Sequence, residues 1–182
     1  NQWFKCPGCA DNRHDLWVMK YPVTNAHFSL FMAAGGYETP DFWGGPESAG
    51  WQWRLRNHAD YRGSGPVTQP EYWQDTRFGK ERRGFPVVGV SWYEAAAYTS
   101  WLTSLLQSDG PLPVAQQALV ADLQAAGIKT TRLPTHDEWV RLAGGAGQNR
   151  YPWDKPGQPE TNEAESVAAR ANVNETGIGQ TS

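Results

Sequence analysis

Pro86-Val87-Val88-Gly89-Val90-Ser91-Trp92-Tyr93-Glu94-Ala95 is a short apolar run that ends in a helix start. Ser91 can accept from the first turn while Glu94 reaches back to the Ser91 amide, a capping box. Trp92, Ala95, Ala96, Leu102 and Leu106 then fall on one face at helical spacing, which predicts a helix to about residue 106 with that face inward. Thr135-His136-Asp137-Glu138 repeats the device after Pro134, and Trp139, Leu142 and Ala143 form the expected buried stripe before Gly144-Gly145. Thr24 caps an earlier helix with Ala26, Leu30 and Phe31 inward, stopped by Gly35-Gly36. An Ala- and Gln-rich helix is expected over residues 113–126, ended by Gly127, within a helical insertion over residues 107–127.

Strands are few. Residues 16–21 and 85–90 read as apolar runs, and residues 128–133 as a third. Residues 37–84 form a long stretch of Gly, Pro, Trp and Arg without either period. Such a stretch is functional or else pinned by its own aromatics. The pattern is that of one α+β domain over residues 1–182, with much irregular backbone.

Composition narrows the classes. The chain has 182 residues and a formal charge of −3, which excludes the broad basic footprint of a dedicated nucleic-acid binder. No run of 18 apolar residues occurs, so no membrane span is expected, and no signal-peptide pattern is visible in the first residues given. Aliphatics are thin, but ten Trp and seven Tyr supply large apolar surfaces. The core is expected to be aromatic. Two cysteines are fewer than a secreted disulfide scaffold carries, so a reducing, cytoplasmic setting is expected. Cys6-x2-Cys9-x4-His14-x4-Met19 has zinc-knuckle spacing with Met in the fourth place. A thioether suits zinc poorly, so a Pro-Gly turn or a disulfide is favoured.

Several segments, in order, resemble the formylglycine-generating enzyme (sulfatase-modifying factor) family. They are Tyr21-Pro22-Val23-Thr24-Asn25-Ala26-His27-Phe28, the Pro86 to Ala95 run quoted above, and Arg132-Leu133-Pro134-Thr135-His136-Asp137-Glu138-Trp139. Tyr151-Pro152-Trp153 and Ala171-Asn172-Val173-Asn174 follow. The resemblance covers about residues 15–182 and implies a C-type-lectin-like fold, a small twisted antiparallel sheet with two main helices and abundant loops. It also implies that the chain starts late and stops at Ser182, before the family segment whose cysteine pair binds copper. Neither Cys6 nor Cys9 lies in the matching region, so neither inherits that role.

The same resemblance places a calcium site in the tail. Asn172 would give a side-chain oxygen, and Val173 and Ile178 backbone oxygens. Thr176 stands where the family has an acidic ligand, with Glu175 beside it as a substitute. A glycine-rich loop held by Asn side chains is the other reading. His14, His27, His58 and His136 show no ligand spacing for a catalytic metal. No G-x-S-x-G, P-loop or catalytic carboxylate pair is present in the sequence.

By composition the likeliest contact surface is Trp51, Trp53, Arg54, Arg56, Tyr72 and Trp73, with Tyr61 and Arg62 interleaved. Trp, Tyr and Arg dominate binding hot spots. The same residues can instead pin the loop, with Arg stacked on ring faces, and a core poor in aliphatics favours that. Two functions from different classes follow. The first is a non-catalytic recognition or scaffold module. Its partner would be a protein or peptide ligand, or the family's remaining C-terminal portion as a separate chain; no nucleic acid or membrane is expected. The second is the N-terminal part of a copper-dependent oxidase that converts a protein cysteine to formylglycine. The first is the expectation adopted.

Overall fold

A computed structural model of the chain describes residues 3–6, 16–56, 58, 62–144, 151, 153 and 169–170. In chain order its elements are β1 (Trp3–Lys5), β2 (Trp17–Met19), α1 (Asn25–Ala33), a 3-10 turn (Pro40–Trp43), α2 (Ala49–Leu55), α3 (Trp92–Leu106), α4 (Val114–Ala125) and α5 (His136–Gly144). The architecture is mixed, largely helical with little strand. Contacts gather it into two units, residues 1–3 with 20–133, and residues 4–19 with 134–182.

In the larger unit α3 is the central helix, packed by α1, α2, α4 and the 3-10 turn. Its start is the capping box read from the sequence. The Glu94 amide donates to Ser91 Oγ at 3.2 Å, and the Ser91 amide donates to Glu94 Oε2 at 2.7 Å. Thr24 caps α1, accepting from the His27 amide at 3.3 Å. The core is aromatic, as the composition requires. Phe28, Phe31, Tyr37, Trp43, Tyr98 and Trp101 are all buried, joined by Leu102, Leu105 and Leu106 of α3. Phe28 stacks on Tyr98 with centroids 5.5 Å apart, and Phe31 meets Trp101 at 5.7 Å. Within the region expected as a helical insertion, residues 107–127, α4 joins this core through buried Leu119, Val120 and Leu123.

The inward faces differ from those expected. On α3 the buried set is Glu94, Ala97, Tyr98, Trp101, Leu102, Leu105 and Leu106, so Trp92 lies on the other side and is 68% exposed. Tyr98, Trp101, Leu102, Leu105 and Leu106 form an apolar stripe at helical spacing, of which the expected face held only Leu102 and Leu106. On α1 the buried residues are Asn25, Phe28 and Phe31, with Ala26 and Leu30 only half-buried. Asn25 goes inside because three carbonyls await its amide.

The expected strands at 85–90 and 128–133 do not form. Pro86 makes one isolated bridge with Thr24. It lacks an amide hydrogen to extend a ladder. Three residues on, Gly89 takes φ +70° and its carbonyl accepts from the Glu71 amide at 2.9 Å. In the other segment Thr131 spends its groups on a helix. Its amide donates to Thr103 Oγ1 at 2.8 Å, and its hydroxyl donates to the Thr99 carbonyl at 2.8 Å. Within residues 37–84 the sequence reading also missed α2, a two-turn helix capped by Ser48, which accepts from the Trp51 amide at 3.1 Å.

β1 and β2 pair as a two-stranded sheet, the one regular sheet among the described residues. The Cys6 amide continues the pairing, donating to the Leu16 carbonyl at 2.8 Å. The second capping box forms before α5, with the Thr135 amide donating to Glu138 Oε2 at 2.7 Å. Trp139 of α5, expected inside, is 63% exposed, while Leu142 and Ala143 are half-buried. Tyr151 and Trp153 stack face to face with centroids 5.1 Å apart.

Candidate functional site

The most strongly coupled polar cluster gathers on Glu94, whose side chain is fully buried. Its place at the third position of α3 aims the carboxylate back over the helix start. Oε1 accepts from Tyr37 Oη at 2.6 Å and from Arg62 Nη1 at 3.0 Å. Oε2 accepts from the Ser91 amide and pairs with Arg62 Nη2 at 2.9 Å. Arg62 Nη2 also donates to the Gly89 carbonyl at 2.6 Å. One carboxylate thus ties together the loop after α1, the loop after α2 and the start of α3. Burial, and then the Glu94 charge, hold the Tyr37 phenol far above its ordinary titration range.

Arg62 also covers an aromatic wall. Its guanidinium lies 5.3 Å from the Trp53 ring centroid. Trp53 in turn stacks on Trp43 at 6.4 Å and packs on Tyr93 at 5.6 Å and His58 at 4.8 Å. Arg54 lies over Trp51 at 4.9 Å, an arrangement that favours both the cation and the ring. Trp51, Trp53 and Arg54 are half-buried, and Arg56 is exposed. Tyr72 and Trp73 belong to the next loop, Trp73 buried and Tyr72 exposed. A hydrogen bond to Glu71 raises the Tyr72 phenol above its usual range.

The structure therefore brings Trp51, Trp53 and Arg54 together around Trp43 and places Tyr72 with Trp73 elsewhere in the same unit. Sequence reasoning named Glu94 as a cap and Arg62 as an interleaved cation, but joined neither to Tyr37. A carboxylate that both caps a helix and falls among apolar neighbours was the available signal. Both carboxylate oxygens of this hub are in use, while Arg62 Nε is buried without a hydrogen-bond partner. The hub holds loops in place and offers no free acid or base.

Asn172, Val173, Glu175 and Ile178, the possible calcium ligands, lie outside the described residues, as do His14 and Cys9. Cys6 is buried and disulfide-bonded. It therefore presents no free thiolate, the soft ligand that copper(I) takes. Among the described residues no three His, Cys, Asp or Glu side chains gather in a way that could hold a metal ion. His136 is exposed at the first position of α5, and half-buried His27 in α1 is pushed down in pKa by burial.

The family model for the sulfatase-modifying factor enzyme 1-like domain matches residues 6–180. The chain belongs to that family. Hercynine oxygenase of Mycobacterium tuberculosis is 29% identical over 148 residues, 75% of this chain and 26% of that protein. Formylglycine-generating enzyme of Thermomonospora curvata is 31% identical over 154 residues, 75% of this chain and 40% of that enzyme. Inactive C-alpha-formylglycine-generating enzyme 2 of Bos taurus is 30% identical over 156 residues, 76% of this chain and 41% of that protein. The chain thus spans about a quarter to two-fifths of the length of these relatives. No solved structure matches it significantly. No described helix is long and apolar enough to cross a membrane.

Proposed function

We propose that the chain is a non-catalytic recognition or scaffold module on a C-type-lectin-like fold that binds a protein or peptide ligand. The observation that carries this reading is Trp92. It is 68% exposed, yet it sits on the first residue of a helix whose start is clamped by Glu94, Arg62 and Tyr37. A large exposed aromatic on a fixed helix start is suited to burial against a partner. Of the other proposed binding residues, Arg56 and Tyr72 are exposed enough to touch a ligand, whereas Trp51, Trp53, Arg54 and Trp73 support the loops beneath. A structural calcium on the 172–178 tail belongs to the same proposal and is tested by comparing thermal melts with calcium and with chelator. A cytoplasmic setting is also part of it, although the Cys6 disulfide is of the kind that persists in oxidising compartments.

A second reading is favoured by the relatives named hercynine oxygenase and formylglycine-generating enzyme. In it the chain is the N-terminal part of a copper-dependent oxidase acting on a cysteine of a sulfatase-type substrate. One assay can overturn the first. The chain is incubated with copper, oxygen and a cysteine-containing sulfatase-motif peptide, and the peptide is read by mass spectrometry. The non-catalytic reading expects an unchanged cysteine. Formylglycine above a no-protein control would overturn it.

A further inference from the structure

One run of this acidic chain carries the opposite sign. Arg77-Phe78-Gly79-Lys80-Glu81-Arg82-Arg83 holds four cations and one carboxylate, while the whole chain is −3. Its backbone is fixed from within. The buried Asn25 amide shares its hydrogens among the carbonyls of Phe78, Gly79 and Arg82 at 2.7, 3.0 and 3.0 Å. The first amides of α1 hold the far end, Ala26 donating to the Arg83 carbonyl and Asn25 to that of Phe85, each at 2.9 Å. Gly79 admits no side chain, because a Cβ there would lie 2.3–2.7 Å from the carbonyl oxygens of Trp73, Tyr72 and Asp75.

The charged ends face the other way. Lys80, Arg82 and Arg83 are exposed. Arg77 is committed to Asp75 through two hydrogen bonds of 3.1 and 2.8 Å. Among the described residues no carboxylate lies within ion-pair distance of Lys80, Arg82 or Arg83. Exposed Phe85 lies under the Arg82 guanidinium at 5.7 Å, and exposed Tyr72 meets Phe78 at 6.0 Å. The result is a fixed basic loop flanked by two partly bare rings.

We infer that this loop is a docking surface for an acidic segment of a partner protein, with carboxylates on Lys80, Arg82 and Arg83 and an apolar side chain against Phe85 or Tyr72. The inference names the partner chemistry of the recognition role proposed above and rests on that reading. Guanidinium forks match carboxylates two bonds at a time. A backbone already fixed by Asn25 loses little freedom on binding. Seven residues span at most about 25 Å, which suits a few carboxylates. A longer polyanion would run beyond the loop onto a chain of net negative charge, past the ~8 Å over which charges act at physiological salt.

The test is fluorescence anisotropy with the full 182-residue chain. The probe is a labelled peptide of about eight residues, glutamates around a central phenylalanine, at about 50 mM salt. Saturable binding is expected, weakened about tenfold or more by Lys80→Glu with Arg83→Glu, and weakened again at about 300 mM salt. Neither side chain makes a hydrogen bond in the structure, so an unchanged melting curve confirms the fold of the variant. Lys129→Glu, at an exposed site elsewhere in the same unit, should leave binding within about twofold. Three outcomes overturn the inference: no binding of the peptide, equal loss from Lys129→Glu, or tighter binding of a single-stranded oligonucleotide with the same sensitivity to Lys80 and Arg83. A formylglycine product in the oxidation assay would instead overturn the non-catalytic reading while leaving a positive binding result standing.

Discussion

Glu94→Gln isolates the buried ion pair from the helix cap. Gln at this position still reaches back to the Ser91 amide, so the capping box survives. What goes is the charge that faces Arg62, whose side chain is only 7% exposed. The guanidinium is then left with the Gly89 carbonyl and the Trp53 face, and no counter-charge. Stranding one partner of a buried pair costs about 3–5 kcal/mol. That is a large share of the ~5–15 kcal/mol that holds a typical domain folded. For a chain of this size the melting temperature should fall by roughly 6–20 °C. Arg62→Met strands Glu94 instead and should cost as much. The double variant removes both charges and should recover most of the loss, a coupling of about 2 kcal/mol or more. Urea denaturation followed by tryptophan fluorescence measures all four proteins, with the midpoint read at constant slope. A Glu94→Gln protein within about 1 kcal/mol of the parent, or a double variant whose losses simply add, would refute the hub as described.

Trp92→Ser should change stability by no more than about 0.5 kcal/mol because the ring is exposed, whereas Trp101→Ala, in the core, should cost about 3–5 kcal/mol; thermal melts of the two variants compare them directly. Tyr98 Oη is buried without a hydrogen-bond partner, so Tyr98→Phe should stabilise the protein by about 1 kcal/mol at neutral pH, read by the same urea titration. Burial raises the Tyr98 phenol, and burial with Glu94 raises that of Tyr37, above the ~10 of an unfolded tyrosine. Stability from each is therefore complete below about pH 10 and falls above it by about 1.4 kcal/mol per pH unit; Tyr98→Phe should remove one such contribution from the slope. Gly79→Ala should unseat the basic loop and cost about 1–3 kcal/mol, since the carbonyls around it belong to backbone and cannot swing aside.

Helix starts were legible because a cap is a local device. Ser91 with Glu94, Thr135 with Glu138, and Thr24 each need only residues within one turn, and all three form. Helix faces were not, because orientation is set by distant partners. Asn25 and Glu94, polar residues that a hydrophobic reading leaves outside, are the most deeply buried polar groups of their helices. Each is drawn in by groups more than fifty residues away in sequence, Phe78, Gly79 and Arg82 for Asn25, and Tyr37 for Glu94. The strands over 85–90 and 128–133 failed for a related reason. Apolar runs say that a segment is half-buried but not whether a neighbour offers a ladder, and here Thr103 and Val23 offer single bonds instead. The family resemblance reached further, since ordered motifs carry information that periodicity does not.

The division of labour among the polar residues bears on function. In the larger unit both Glu94 oxygens, the Tyr37 hydroxyl and the Asn25 amide hydrogens are occupied in holding loops to helices. A group whose lone pairs and hydrogens are all in use cannot also move a proton to a substrate without unfastening the loops it holds. Reactive chemistry from these residues would therefore cost the fold. Among exposed side chains with unpaired groups are Trp92 at the start of α3 and Lys80 and Arg83 of the loop anchored by Asn25. The buried polar groups fix the backbone that carries those outer groups, so less backbone freedom is lost on meeting a partner. The same sequence features that look catalytic at first sight, a buried carboxylate beside an arginine and a tyrosine, tie two loops to the start of α3 in this unit.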